Sequence, residues 1–301
     1  FVSLSSGKST VPLRYVTSMA GDLLNLMLKP AAVDSLNRAA VKVITQKEMG
    51  AVRGIPAIVG IVMVLDTESG EILSIMDGEY LTALRTGAAG GIATQYFARK
   101  EAETLAVYGC GAQGKTQLEA VAAVRKLKKV WVFDKSPKAM EDLIAEMQPK
   151  LKLEICAANS NAVIKECDVI CTATNAESPL FFVDEVKPGV HINAIGSYKP
   201  NMQELDPILL KNAKIYVDQK EPCLAESGDL IKPINDGVFT ADHLFGEIGE
   251  YALNTIEGRV SENETTVFKS VGVAIQDFIV ANSIYEKALS SGFGQAINLF
   301  E

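Results

Sequence analysis

Leu105-Ala106-Val107-Tyr108-Gly109-Cys110-Gly111-Ala112-Gln113-Gly114 is the stretch that decides the fold. An apolar, β-prone run leads into G-x-G-x-x-G, and the segment from Lys115 to Arg125 reads as a helix. A second β-rich run, Val130-Trp131-Val132-Phe133, ends in Asp134, 20 residues after Gly114. The glycines alone would fit any tight turn between a strand and a helix. Strand, glycines, helix, strand and terminal acid in that order predict a dinucleotide-binding crossover. Gly109 permits the turn, Gly111 lets a pyrophosphate approach bare backbone, and Gly114 lets the helix sit close on the strand. The helix start, with Ala112 and Gln113, offers N–H groups and a positive dipole end to the phosphates. Asp134 can accept a hydrogen bond from a ribose 2′-OH, which favours NAD(H) over NADP(H). Lys135 and Lys138 nearby soften that preference.

Outward from this motif the texture alternates. Strands are expected at Leu105–Tyr108, Val130–Phe133, Leu153–Cys156, Val169–Thr172, His191–Ile195 and Lys214–Val217, with helical stretches such as 138–147 and 161–167 between them. Such alternation predicts α/β architecture with a doubly wound parallel sheet, a Rossmann-type domain. The flanks read differently. Residues 57–66 and 71–78 read as an antiparallel hairpin about the turn 67–70, and 80–98 as an Ala-rich helix. A long helix is expected from Ser270 towards Leu289, followed by Gly292, Gly294 and a short apolar tail. The simplest organisation is a nucleotide domain over 101–267, inserted in a second domain made of 1–100 plus 268–301.

With 301 residues, 48% of them hydrophobic and 22% charged, the chain can bury a sizeable core. A net charge of −8 without a basic stripe argues against a nucleic-acid partner. No apolar run reaches the length of a membrane span. The chain begins at Phe1 rather than Met, so the natural N-terminus is expected to lie outside it. Five cysteines, an odd number in mostly apolar settings, suggest reduced thiols and a cytoplasmic protein. Cys167 and Cys171 lack a second Cys or His pair to complete a zinc site, and no metal is expected. His191 lies in an apolar run, where a structural role is the better reading.

Three cations sit in apolar or small-residue settings: Arg14 after Pro12-Leu13, Lys42 in Ala40-Val41-Lys42-Val43-Ile44, and Arg85 in Leu81-Thr82-Ala83-Leu84-Arg85-Thr86-Gly87. Buried cations are rarely left unpaired, so the three could converge on an anion such as a substrate carboxylate. Separate structural salt bridges are an equally good account. Thr172-Ala173-Thr174 and Gly196-Ser197 follow expected strands at the carboxyl edge, where doubly wound sheets bind ligands. Their hydroxyls could face a cofactor or simply cap the next segment.

Taken together, G-C-G-A-Q-G at 109–114, T-A-L-R-T-G-A-A about Arg85, A-V-K-V-I about Lys42, P-L-R at Arg14, C-T-A-T-N about 172–174, and V-F-K-S-V-G ending in Gly272 resemble the ornithine cyclodeaminase/mu-crystallin family. The resemblance covers essentially the whole chain, except that family members usually carry an N-terminal helical segment before the first motif. It implies a homodimer whose subunits combine an NAD(P) domain with a smaller α+β dimerisation and substrate domain. It implies that Arg14, Lys42 and Arg85 hold the carboxylate of a small imino or amino acid, with Lys42 and Arg85 catalytic and Ser197 at the substrate. It also places Thr172, Ala173, Thr174 and Gly272 at the cofactor. The family's cyclodeaminases carry an aspartate two residues after the glycine that ends the fifth nucleotide-domain strand. Here that position is Tyr198, in Gly196-Ser197-Tyr198-Lys199-Pro200. Its absence turns the expectation towards NAD(P)H-dependent reduction of a cyclic imino acid, Δ1-pyrroline-2-carboxylate first and its six-membered piperideine analogue second. Alanine dehydrogenase or cyclodeaminase activity is the alternative. A mu-crystallin-like NAD(P)-dependent binding protein is an alternative of another class.

Overall fold

A computed structural model describes residues 1–21, 23–47 and 58–298. The chain forms two compact units, one of residues 1–6 and 86–272, the other of 7–85 and 273–301.

The larger unit is built on eight parallel strands: β6 (Thr104–Tyr108), β7 (Lys129–Phe133), β8 (Glu154–Ala157), β9 (Val169–Thr172), β11 (His191–Ala194), β13 (Lys214–Val217), β14 (Leu244–Glu247) and β15 (Thr266–Lys269). Their order is β14-β13-β15-β11-β9-β6-β7-β8. Two short strands, β10 (Glu177–Phe181) and β12 (Gln203–Leu205), pair separately. Central strands read as continuous apolar runs because helices cover both faces. Thus Leu105, Ala106 and Val107 are all fully buried, Leu105 and Val107 in one core cluster and Ala106 in the other. From β6 the chain first builds outward through β7 and β8, then returns to place β9 on the other side of β6. That reversal is the topological switch point, where a crevice opens at the carboxyl ends of the strands.

The smaller unit is a five-stranded antiparallel sheet in chain order: β1 (Tyr15–Met19), β2 (Leu24–Val33), β3 (Arg38–Lys47), β4 (Ile58–Asp66) and β5 (Ile72–Asp77). Ala57, expected to start β4, lies outside the described residues, as do 299–301 of the expected apolar tail. The Ala274–Ser291 helix packs across one face of this sheet, over β2 to β5. Register fixes what each face carries. Lys29, Lys42 and Val62 lie side by side, with Ile44 and Val64 on the same face, and these side chains are buried. The opposite face is a row of Tyr15, Leu28, Val43 and Ile61 that ends in Asp77, flanked by Val41, Met63, Val59 and Ile75.

Two expectations are corrected. The unit boundary falls within the Glu79–Phe97 helix, at 85/86, and not at residue 100. From Thr86 onward that helix presents glycines to the Ala112–Val124 helix. A Cβ on Gly87 would stand 2.5 Å from the Thr116 carbonyl oxygen, and Gln117 Nε2 donates to the Thr86 carbonyl at 2.8 Å. Likewise 268–272 belong to the nucleotide unit, because β15 is inserted between β11 and β13. The second correction concerns the long helix, which starts at Ala274 and not Ser270. Buried Asp218 accepts from the Ser270 hydroxyl and from the Val271 and Gly272 N–H groups, and Gly272 has φ +78°. These bonds hold 270–272 as a loop.

Candidate functional site

The G-x-G-x-x-G turn sits between β6 and the Ala112–Val124 helix, at the switch point. Gly109 has φ +95°, and a Cβ there would lie 2.4 Å from the Ala173 carbonyl oxygen. A Cβ on Gly114 would lie 1.8 Å from the Gly109 carbonyl oxygen, so any side chain would push the helix off the strand. At Gly111 a Cβ would meet nothing within 4 Å: that backbone faces open space. Gly111 caps the helix, and the first intrahelical bond closes at Lys115 N, so the preceding N–H groups have no partner within the helix. Asp134, beyond the end of β7, accepts from Cys110 N at 2.8 Å and Ser136 N at 2.9 Å. Its carboxylate is thereby tied to the glycine turn.

A cavity of about 760 Å³ opens here. Gly109, Gly111, Asp134, Lys135, Ala173, Thr174 and Tyr198 line it, with Tyr108, Phe133 and Asn161. The residues fit a dinucleotide: bare backbone and a helix start for the pyrophosphate, a fixed carboxylate for ribose hydroxyls, and apolar walls. Cys110, though inside the motif, is buried. Burial, with Asp134 beside it, pushes its thiol up to about 12.

The threonines and Ser197 are engaged by other groups of the chain, and Thr174 Oγ1 accepts from Ala176 N in the segment that follows it. Thr172 Oγ1 donates to Glu204 Oε2 and Thr174 Oγ1 to Glu204 Oε1, each at 2.8 Å. The N–H groups of Thr174 and Gly196 donate to the same carboxylate. Both hydroxyls therefore fasten the chain to Glu204, and Thr174 still contributes to the cavity wall. Asp229 accepts from the Glu204 and Leu205 N–H groups and pairs with Lys269 at 3.2 Å, all of it buried. Burial, then the nearby Asp229 carboxylate, raises the Glu204 pKa. Ser197 is fully buried, donating to the Met202 carbonyl and accepting from Asp229 N, so it holds its own loop. Gly272 is buried with its N–H on Asp218. His191 is buried between Thr266 Oγ1 and Asn193 Oδ1, and burial lowers its pKa to about 3.

In the smaller unit, Lys42 and Arg85 do converge, and on a residue the sequence did not single out. Lys42 Nζ lies 2.7 Å and Arg85 Nε 2.9 Å from the same oxygen, Asp277 Oδ1. Arg85 Nη1 also donates to Gln276 Oε1 at 2.7 Å, and Lys42 Nζ to Thr82 Oγ1 at 3.0 Å. Lys42, Arg85 and Asp277 are all buried, as is Lys29 opposite Lys42. Burial lowers the Lys42 pKa well below its usual value; Asp277 opposes that, while Arg85 and Lys29 add to it. Burial would raise Asp277, but Arg85, Lys42 and Lys29 together hold it at about 2. Arg14 lies half-buried in the stretch leading into β1. The visible signal for Asp277 was a lone acid in the apolar opening of a helix, Val271-Gly272-Val273-Ala274-Ile275-Gln276-Asp277-Phe278.

Residues 1–292 match the ornithine cyclodeaminase/mu-crystallin family. A Delta(1)-pyrroline-2-carboxylate reductase of Bacillus cereus is 40% identical over 295 residues, covering 97% of this chain and 90% of the relative. Among solved structures, the Thermococcus litoralis Delta(1)-pyrroline-2-carboxylate reductase in complex with NADH and L-proline superposes with a TM-score of 0.94. It is 36% identical, covering 98% of this chain and 92% of that one. An archaeal alanine dehydrogenase dimer with bound NAD gives a TM-score of 0.93 at 33% identity, covering 99% and 91%.

Proposed function

The chain belongs to the ornithine cyclodeaminase/mu-crystallin family, and from that premise we propose that it is an NAD(P)H-dependent reductase of cyclic α-imino acids. Δ1-Pyrroline-2-carboxylate, reduced to L-proline, is the substrate of choice, and Δ1-piperideine-2-carboxylate is next. The observation that carries the reading is the buried Lys42–Asp277–Arg85 group, in which two cations share one carboxylate oxygen. Such a group has positive charge to spare for the carboxylate of an α-imino acid.

Gly109, Gly111, Ala112, Gln113 and Gly114 would hold the pyrophosphate and Asp134 the ribose hydroxyls. Ala173 and Thr174 would wall the site, and Lys135 would sit at its rim. When bound, the nicotinamide supplies a hydride to the C=N carbon. Lys42, Arg85 and Arg14 anchor the substrate carboxylate, Arg85 through its planar guanidinium. Reduction also needs a proton on the ring nitrogen. Lys42 is the donor: burial weakens its hold on the proton and so favours its transfer. With hydride on C2 and proton on nitrogen, the imine becomes the secondary amine.

A homodimer completes the reading. The open sheet face carries Tyr15 60%, Ile61 40% and Ile75 52% exposed in one apolar surface, and a second copy is the occupant that suits it. Among the described residues, no helix is long and apolar enough to cross a membrane. Five free cysteines suit the cytoplasm.

The experiment is NADH and NADPH oxidation followed with Δ1-pyrroline-2-carboxylate, Δ1-piperideine-2-carboxylate, and pyruvate plus ammonia. The five-membered imine should turn over fastest. Turnover confined to pyruvate plus ammonia would make the protein an alanine dehydrogenase, and turnover of none would leave a binding protein.

A further inference from the structure

We infer that Asp277 is the positioning residue of the carboxylate-binding group, fixing the Lys42 ammonium and the Arg85 guanidinium against each other and setting the charge they present. The inference rests on the imino-acid reading above and adds a residue to it.

Three elements meet at this carboxylate. Lys42 comes from β3, Arg85 from the Glu79–Phe97 helix, and Asp277 from the first turn of the Ala274–Ser291 helix. The preceding residue, Gln276, takes a second Arg85 nitrogen, so one helical turn grips the guanidinium at two points. Asp277 is not arranged as a purely structural salt bridge. Both cations use Oδ1, while Oδ2 is buried and has no hydrogen-bond partner among the described residues. A carboxylate retained for stability alone would engage both oxygens, since leaving one buried and unpaired is costly. Sharing a single oxygen instead keeps the two cations close together.

The groups facing Lys42 are Lys29 on β2, Thr82 and Arg85 on the Glu79–Phe97 helix, and Asp277. Of these, Asp277 alone is anionic. Burial, Arg85 and Lys29 all act to strip the Lys42 proton, and Asp277 is the group that retains it. Removing its charge should therefore cost Lys42 its proton at lower pH, while removing only its placement should disturb substrate binding.

Asp277→Asn and Asp277→Glu separate these effects in the whole chain. In Asp277→Asn the Lys42 titration, read by NMR of 13Cε-lysine without substrate, should move down by about one pH unit or more. The basic limb of kcat/KM for Δ1-pyrroline-2-carboxylate should move with it, and KM should rise about tenfold. The NADH Kd should stay within about twofold of wild type. Asp277→Glu should restore the basic limb yet keep a raised KM. A lower Tm with titration, limb and KM all unmoved would show that Asp277 only supports the fold. Should Asp277→Asn fail to fold, Asp277→Glu decides: a raised KM with the limb in place supports the inference, and an unchanged KM overturns it. Failure of the imino-acid reading would show separately, as a wild type that reduces no imine, and the lysine titration would still test the Asp277–Lys42 link.

Discussion

Cofactor choice is proposed to turn on a single side chain, Asp134. Its two oxygens are held by Cys110 N and Ser136 N, so the carboxylate cannot swing away from the mouth of the glycine turn. A 2′-hydroxyl can donate to it, whereas a 2′-phosphate would bring like charge against it. Exposed Lys135 on the cavity rim offsets part of that repulsion. NADH should therefore bind at least as well as NADPH, as titration of both will show. An NADPH preference above about tenfold, roughly 1.4 kcal/mol, would remove Asp134 from this role. Asp134 was legible because the glycines, the strand and the acid lie close together in sequence and in a fixed order. Asp277 and Glu204 were not. Asp277 meets Arg85 across 192 positions of chain, and nothing local marks it as a partner. Glu204 takes over hydroxyls, on Thr172 and Thr174, whose position at a strand end suggested a ligand. The rule about strand ends points to this edge of the sheet. It could not reveal that a buried carboxylate already occupied those donors.

Among the elements, strands were readable where the pattern is locally regular, as in the hairpin of β4 and β5 and the β6 to β9 crossovers. β1 and β2 were not read as strands, although β1, β2 and β3 pair in chain order. β15 was missed as a strand because it is only four residues long and its partners β11 and β13 are remote in sequence. The five-stranded sheet makes a stronger demand. A face made of Tyr15, Leu28, Val43, Ile61, Met63 and Ile75 is too apolar to be an ordinary exposed surface. Its other face is already covered by the Ala274–Ser291 helix. If a second copy covers the open face, a charge at its centre should separate the copies without disturbing the buried side. Ile61→Lys is the suitable change, because Ile61 is 40% exposed and lies on the internal strand β4. It should sediment as a monomer with its circular dichroism intact, where wild type sediments as a dimer. A wild-type monomer, or an unchanged dimer in the variant, would show that the pairing surface lies elsewhere.

At the scale of the whole molecule, the two units are interleaved in sequence. Residues 86–272 carry the dinucleotide turn, and 7–85 with 273–301 carry the cation group. Tyr198 is the residue on which the choice among the family's activities is proposed to turn. It lines the cavity of the nucleotide unit and packs against that unit's core. By resemblance, the cyclodeaminase branch carries an aspartate at this position. A cyclodeaminase must hold ornithine's ammonium, oxidise the α-carbon, and steer the side-chain nitrogen into the resulting imine. A carboxylate pairs with an ammonium far more strongly than a phenol does. Reduction of a preformed cyclic imine omits those steps and needs only the carboxylate anchor, a proton donor and a hydride. NADH consumption with Δ1-pyrroline-2-carboxylate should thus be readily measurable, while ammonia release from ornithine with NAD+ should be at least about a hundredfold slower, equivalent to roughly 2.7 kcal/mol of transition-state stabilisation. Assaying ammonia and proline together tests this, because cyclodeamination returns its NAD+ and so cannot be read from nicotinamide absorbance. Rapid ammonia release without net NADH formation would mean that another residue does the work of the missing aspartate, and would move the protein into the cyclodeaminase branch.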